Sequence, residues 1–139
     1  MKTKIPIKIL QLDDGFHLVL SILVNGRPAR MVLDTGASQT VFDKTRIKKF
    51  MKQKQFESHD KLLTGLGTNK MKSHLAMIAK IEIGKIVIRK YKTVVIDLSH
   101  VNNAYSQMKQ KPIDGILGSD ILKQYKAVID YPNCHLTLR

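Results

Sequence analysis

Apolar and polar positions alternate along most of this chain, and the alternation predicts strands. Ile5, Ile7 and Ile9 recur at period two, with Pro6 and Lys8 between them. Pro6 cannot donate a ladder hydrogen bond, so this strand is expected at a sheet edge or crossing to a partner. After a turn at Asp13-Asp14-Gly15, residues 16–24 read as a second strand. Asn25-Gly26 is a strong two-residue hairpin signal, and 27–34 returns from it. Thr40-Val41-Phe42 is a short strand, and Asp43 is a candidate cap for a short helix over 44–51. The polar run 52–60 is expected to be irregular. Residues 62–64 and 71–78 form the arms of a hairpin around 65–69, and 81–83 pairs with 86–88 across Gly84-Lys85. Residues 91–98 and 113–117 read as strands, with an ambiguous polar stretch of one or two helical turns between them. A helix is predicted over 119–125, with Ser119 as a possible cap. A closing hairpin joins 127–131 to 135–138 around Pro132-Asn133. The pattern predicts a mostly-β chain with one or two short helices.

One stretch departs from this plain alternation. Met31, Val32 and Leu33 lead straight into Asp34, and Thr35, Gly36, Ala37 and Ser38 follow. A carboxylate at the end of a buried apolar strand is costly unless hydrogen bonds or function compensate. Gly36 allows a backbone conformation and a close approach that a Cβ would forbid. A weak echo, Val95-Ile96-Asp97-Leu98-Ser99, occurs later in the chain.

Asp34-Thr35-Gly36 with its apolar strand resembles the catalytic loop of retropepsin-like aspartic proteases. Asp114-Gly115-Ile116-Leu117-Gly118-Ser119-Asp120 is similar to the segment that packs beside that loop and leads into a helix. Leu63-Thr64-Gly65-Leu66-Gly67-Thr68 stands where the family has its flap tip. The resemblance covers about residues 16–138. It implies a closed-barrel-like acid protease fold over 1–139, read as a single domain. That family's domain has an internal pseudo-twofold symmetry, which would account for the echo at Asp97. Asp97 lacks the following glycine and is disfavoured as a second catalytic carboxylate.

The chemistry implied is peptide hydrolysis by a water held between two carboxylates. Two such groups in contact cannot both ionise easily, so they share one proton. The ionised member activates water, and the protonated member donates to the scissile carbonyl. One copy of the motif per chain implies a homodimer with an Asp34 from each subunit. By the same resemblance, Asp34, Thr35 and Gly36 form the catalytic loop, with Thr35 bracing the partner's loop. Ala37, Ser38, Gln39 and Val41 would meet the substrate or support the site. Gly65, Leu66 and Gly67 would close over the substrate, and Ile116 and Leu117 would support the loop from below. Retroviral enzymes have acidic residues where Ser38 and Gln39 stand, and an arginine where Ser119 stands, so their local ion pair is missing here. The alternative is a catalytically silent peptide-binding or dimerisation module of the same fold.

Composition narrows the field further. At 139 residues, 43% of them hydrophobic, the chain suits one domain with a small core. No apolar run approaches the ~18 residues of a membrane span. The first residues lack the apolar segment of a secretion signal. A single cysteine, Cys134, rules out an internal disulfide, so a cytoplasmic location is expected. The net charge is +13, with the densest cluster at Lys44, Arg46, Lys48, Lys49, Lys52 and Lys54. Without interleaved aromatic residues, Phe50 apart, the cluster reads as a solvated face, and no specific nucleic-acid partner is expected. His17, His59, His74, His100 and His135 have no metal-ligand spacing and are read as surface or incidental, so no metal or other cofactor is expected. Asp114, Asp120 and Asp130 are read as structural turn or helix-start residues.

Overall fold

The computed structural model describes residues 1–13, 15–51, 56–62 and 72–139, with the backbone alone over 56–62 and 72–73. It is mostly β. In chain order the elements are β1 (Thr3–Pro6), β2 (Lys8–Leu12), β3 (Gly15–Val24), β4 (Arg27–Leu33), β5 (Val41–Asp43), a 3-10 turn at Arg46–Phe50, β6 (Phe56–Leu62), β7 (Lys72–Ile83), β8 (Ile86–Ile96), α1 (Ser99–Gln107), β9 (Gly115–Leu117), α2 (Ser119–Gln124), β10 (Val128–Asp130) and β11 (His135–Leu138).

Six strands close into a barrel in the order β3-β4-β9-β5-β8-β7. The ring is completed where β7 meets β3 at Leu23↔Glu82 and Val24↔Ile81. Closure removes the free edges that an open sheet would expose. β2 and β6 continue the sheet beyond β3 and β7, while β1, β11 and β10 form a separate three-stranded sheet. The Asn25-Gly26 turn fixes the closing seam. Both residues take positive φ, as a tight two-residue hairpin turn requires. Asn25 then exchanges bonds with the opposite wall: its amide donates to the Lys80 carbonyl (2.8 Å), and its side-chain oxygen accepts from the Lys80 amide (3.0 Å).

Alternation along β4 sorts its side chains between two apolar clusters. Ala29, Met31 and Leu33 point into the barrel with Ile22, Phe42, Ile78, Val95 and Leu117. Val32 faces the other way, onto a second cluster of Leu10, Leu12, Val19, Leu98, Tyr105 and Ile113, to which α1 contributes Tyr105. The site therefore has a firm support on both sides of the strand that carries it.

Four sequence expectations change in detail. The first strand is two: β1 pairs with β11, and β2 pairs with β3, with Ile7 at the switch. Residues 56–60 of the run expected to be irregular, continued to Leu62, form β6 on the edge of β7. The segments expected at 71–78 and 81–83, and at 86–88 and 91–98, are continuous in the two long strands β7 and β8, joined at Gly84-Lys85. The helix expected over 44–51 is a single 3-10 turn. Its approach is capped by Asp43, which accepts from the amides of Thr45 (3.2 Å) and Arg46 (2.9 Å). No helix among the described residues is long and apolar enough to cross a membrane.

Candidate active site

At the heart of the barrel two strand–turn–strand units interlock. β4 runs through the Asp34 turn to β5, with β9 lying between them. β8 runs through the Asp97 turn to β9, with β5 lying between them. Two parallel pairings result, β4 with β9 and β5 with β8, and each carries a turn that begins with an aspartate. The likeness extends to hydrogen bonds. Asp34 Oδ1 accepts from the Gly36 amide at 2.9 Å, and Asp97 Oδ1 accepts from the Ser99 amide at 2.9 Å. The echo in the sequence is thus a repeated turn. Bonds from the Ser99 amide and hydroxyl hold the Asp97 carboxyl below the usual carboxylate range. Asp97 is exposed but does not line the cavity beside Asp34.

Asp34 is exposed, and the backbone around it is fixed from several directions. Its amide donates to the Leu117 carbonyl (3.1 Å), and its own carbonyl accepts from the Ala37 amide (3.2 Å). The Ala37 carbonyl in turn accepts from the Ser119 amide (2.7 Å). Gly118 brings the second motif close enough for this. A Cβ there would lie 2.7 Å from the Gln39 carbonyl oxygen and 2.8 Å from that of Ala37, both backbone atoms. Gly115 serves likewise at the start of β9, where a Cβ would lie 2.5 Å from the Val41 carbonyl oxygen.

Thr40 and Asp120 complete the bracing. Asp120 Oδ1 accepts from the Thr40 amide (2.9 Å) and hydroxyl (2.8 Å), and its other oxygen accepts from the Tyr91 hydroxyl. The Thr40 hydroxyl oxygen accepts from the Gly118 amide (2.9 Å), and the Thr40 carbonyl accepts from Thr93 (3.1 Å). One carboxylate on α2 thereby ties the end of the Asp34 loop to β8. Asp120 was expected near a helix start with a structural part, and it has one. Its partners were not apparent, because Thr40 lies 80 residues away and Tyr91 sits on a distant strand between Lys90 and Lys92.

Asp34 and Thr35 lie at the rim of a cavity of about 360 Å³ walled by Val32, Val101, Ile113 and Ile116. Phe16 and Tyr131, also at the cavity, are 67% and 58% exposed, large aromatic surfaces left facing solvent. His17 lines the same cavity, with Nδ1 3.0 Å from the Tyr105 hydroxyl and the two rings edge to face. Sequence gave no sign of this pair. Of the residues expected at the site, Asp34, Thr35 and Ile116 meet at the cavity. Ser38 and Gln39 are exposed beyond the turn, with the Ser38 carbonyl accepting from the Ser119 hydroxyl at 3.4 Å. Val41 and Leu117 support from beneath and do not line the cavity, Leu117 being fully buried in the barrel. Gly65, Leu66 and Gly67 lie outside the described residues.

A family model described as aspartyl protease matches residues 20–121, a span that includes both motifs. The chain belongs to the aspartyl protease family. Solved structures of that kind share its fold at low identity. A retropepsin-like aspartic protease from Rickettsia conorii is 22% identical with a TM-score of 0.60, over 99% of this chain and 89% of its own. The retroviral protease-like domain of Ddi1 from Leishmania major is 17% identical with a TM-score of 0.60, over 88% and 87%. The EIAV protease in complex with the inhibitor HBY-793 is 22% identical with a TM-score of 0.55, over 76% and 85%. No curated protein sequence matches significantly. The barrel of this aspartyl protease family member is therefore retropepsin-like in fold.

Proposed function

We propose that the protein is an aspartic endopeptidase whose two reacting carboxylates are the Asp34 side chains of two copies of the chain. The observation that carries this reading is the placement of Asp34. It is exposed, its Oδ1 is held by the Gly36 amide, and it stands at the rim of an apolar-walled cavity. Alone it is half of the device. A single carboxylate cannot both take a proton from water and give one to the scissile carbonyl, whereas a proton-sharing pair can. The pair titrates as a unit. The Gly36 amide keeps the carboxylate plane fixed, so little reorganisation is needed as charge develops.

In this reading, residues 1–139 act as one retropepsin-like domain, and two such domains meet about a twofold axis beside the Asp34 loops. Thr35 braces the partner's loop. The backbone at Gly36, Ala37, Ser38 and Gln39 takes an extended peptide by strand addition, and Gly65, Leu66 and Gly67 close over it. Val41, Ile116 and Leu117 hold the loop. The exposed Phe16 and Tyr131 beside the cavity support a partner surface there. The substrate is a peptide or protein, the location is cytoplasmic, and neither cofactor, nucleic acid nor membrane takes part.

The test is cleavage of a mixed peptide library by the wild type and Asp34→Asn, with and without pepstatin, from acid to neutral pH. Pepstatin-sensitive cleavage that disappears in Asp34→Asn, with the dimer retained by sedimentation, is expected. Full activity in that variant would end the proposal. Peptide binding without cleavage by the wild type would instead identify a silent peptide-binding or dimerisation module.

A further inference from the structure

A second cavity, of about 670 Å³, lies beside β4, with Pro28, Ala29 and Arg30 in its wall. Arg30, Arg46, Lys8 and Lys111 line it, against one carboxylate, Asp114. That carboxylate is already shared three ways. Its Oδ2 accepts from the Arg30 backbone amide (2.8 Å), and its Oδ1 meets Arg46 Nε (2.8 Å) and Lys49 Nζ (2.7 Å). The Arg30 guanidinium has no share in it. Arg30 Nε and Nη2 are buried and have no hydrogen-bond partner. Among the described residues, Arg30, Lys8 and Lys111 have no ion-pair partner.

Buried donors of a cation left unpaired are unfavourable, and an anion toward which the guanidinium turns from its buried position removes that penalty. The planar fork of an arginine suits the oxygens of a phosphate, and the excess of cations over carboxylate suits a dianion better than a single charge. Apart from Ser21 the remaining wall is apolar, with Ile7, Leu20 and Pro112 among its residues. We infer that this cavity binds a phosphate monoester that carries an apolar body. The phosphate meets Arg30, with Lys8 and Lys111 at the rim, and the body lies on the apolar wall. This site is separate from the cavity beside Asp34 and does not depend on the proteolytic reading.

Calorimetric titration at fixed ionic strength tests the inference, with phenyl phosphate, inorganic phosphate and acetate as probes. Saturable binding of phenyl phosphate at one per chain is expected, roughly tenfold tighter than inorganic phosphate because the ring buries apolar area. Arg30→Met should weaken it at least tenfold, while Lys123→Gln, which removes the same charge from α2, leaves it unchanged. If Arg30→Met fails to fold, Lys8→Gln, at an exposed residue, should weaken binding several-fold. The inference is overturned by any of four results: no saturable binding to the wild type, an equal effect of Lys123→Gln and the cavity variants, acetate binding as tightly as phosphate, or no gain from the phenyl ring.

Discussion

Tyr91 and Thr40 meet on the carboxylate of Asp120. Burial raises the Tyr91 phenol well above its ordinary value, and the hydrogen bond to Asp120 and that group's negative charge raise it further, against a smaller opposing pull from Thr40. The neutral phenol is the form the fold favours. Its contribution is fully present below the ordinary tyrosine pKa of about 10 and is lost as pH rises through the higher folded value. Tyr91→Phe is therefore expected to destabilise by about 1–2 kcal/mol at neutral pH. It should also reduce the loss of stability above pH ~10. Urea unfolding at the two pH values checks both. At this scale the sequence was only partly readable. Asp34 stood out because an apolar run ends in it. The part Asp120 plays did not, because nothing local marks a pairing across 80 residues. His17 was likewise hidden, since the residue that orients it, Tyr105, arrives on α1.

Between elements, the critical dimension is the clearance of β9 and the start of α2 against the Asp34 loop. Gly118 has an ordinary backbone conformation, so its requirement is purely one of space. Gly118→Ala should push Ala37 and Gln39 away, costing about 3 kcal/mol or more, because both obstructing groups are backbone. Thermal unfolding would register the loss, and peptide cleavage would fall more than Tm alone predicts, since the Asp34 turn moves with Ala37. The Ile-Leu-Gly pattern made this contact legible in the sequence. The long strands β7 and β8 were less so. Lys80, Arg89 and Lys90 interrupt the apolar alternation, and Lys90 takes a positive φ outside the paired positions, but the ladder between β7 and β8 keeps one register on either side of it. Tertiary pairing here overrides a local break in pattern. The basic cluster was read as a uniformly solvated face, yet Arg46 and Lys49 reach the buried Asp114, which no spacing rule could reveal.

For the whole molecule, alternation and the hairpin at Asn25-Gly26 pointed to a mostly-β chain, and closure of the barrel followed only from the family resemblance of the two motifs. What did not follow was how the ends are used. β1 pairs with β11 of the same chain, and β10 lies on the other side of β11, so that β1 and β10 are the edges of that sheet among the described residues. If the proposed dimer is the active species, activity per mole must fall on dilution as protomers separate. Progress curves over a concentration series, with a sedimentation run at each end, should show the loss of activity tracking the loss of dimer. Constant specific activity across the dissociation range would place the second carboxylate within one chain.

The bond from the Asp34 amide to the Leu117 carbonyl has a bearing on biosynthesis. Asp34 leaves the ribosome early, but β4 acquires its parallel neighbour only when residues 115–117 emerge. A nascent polypeptide thus lacks the strand that fixes its acid group. If Asp34 is the reacting carboxylate proposed above, the growing chain until then has no means to cut itself or its neighbours on the polysome, a safeguard written into the threading order.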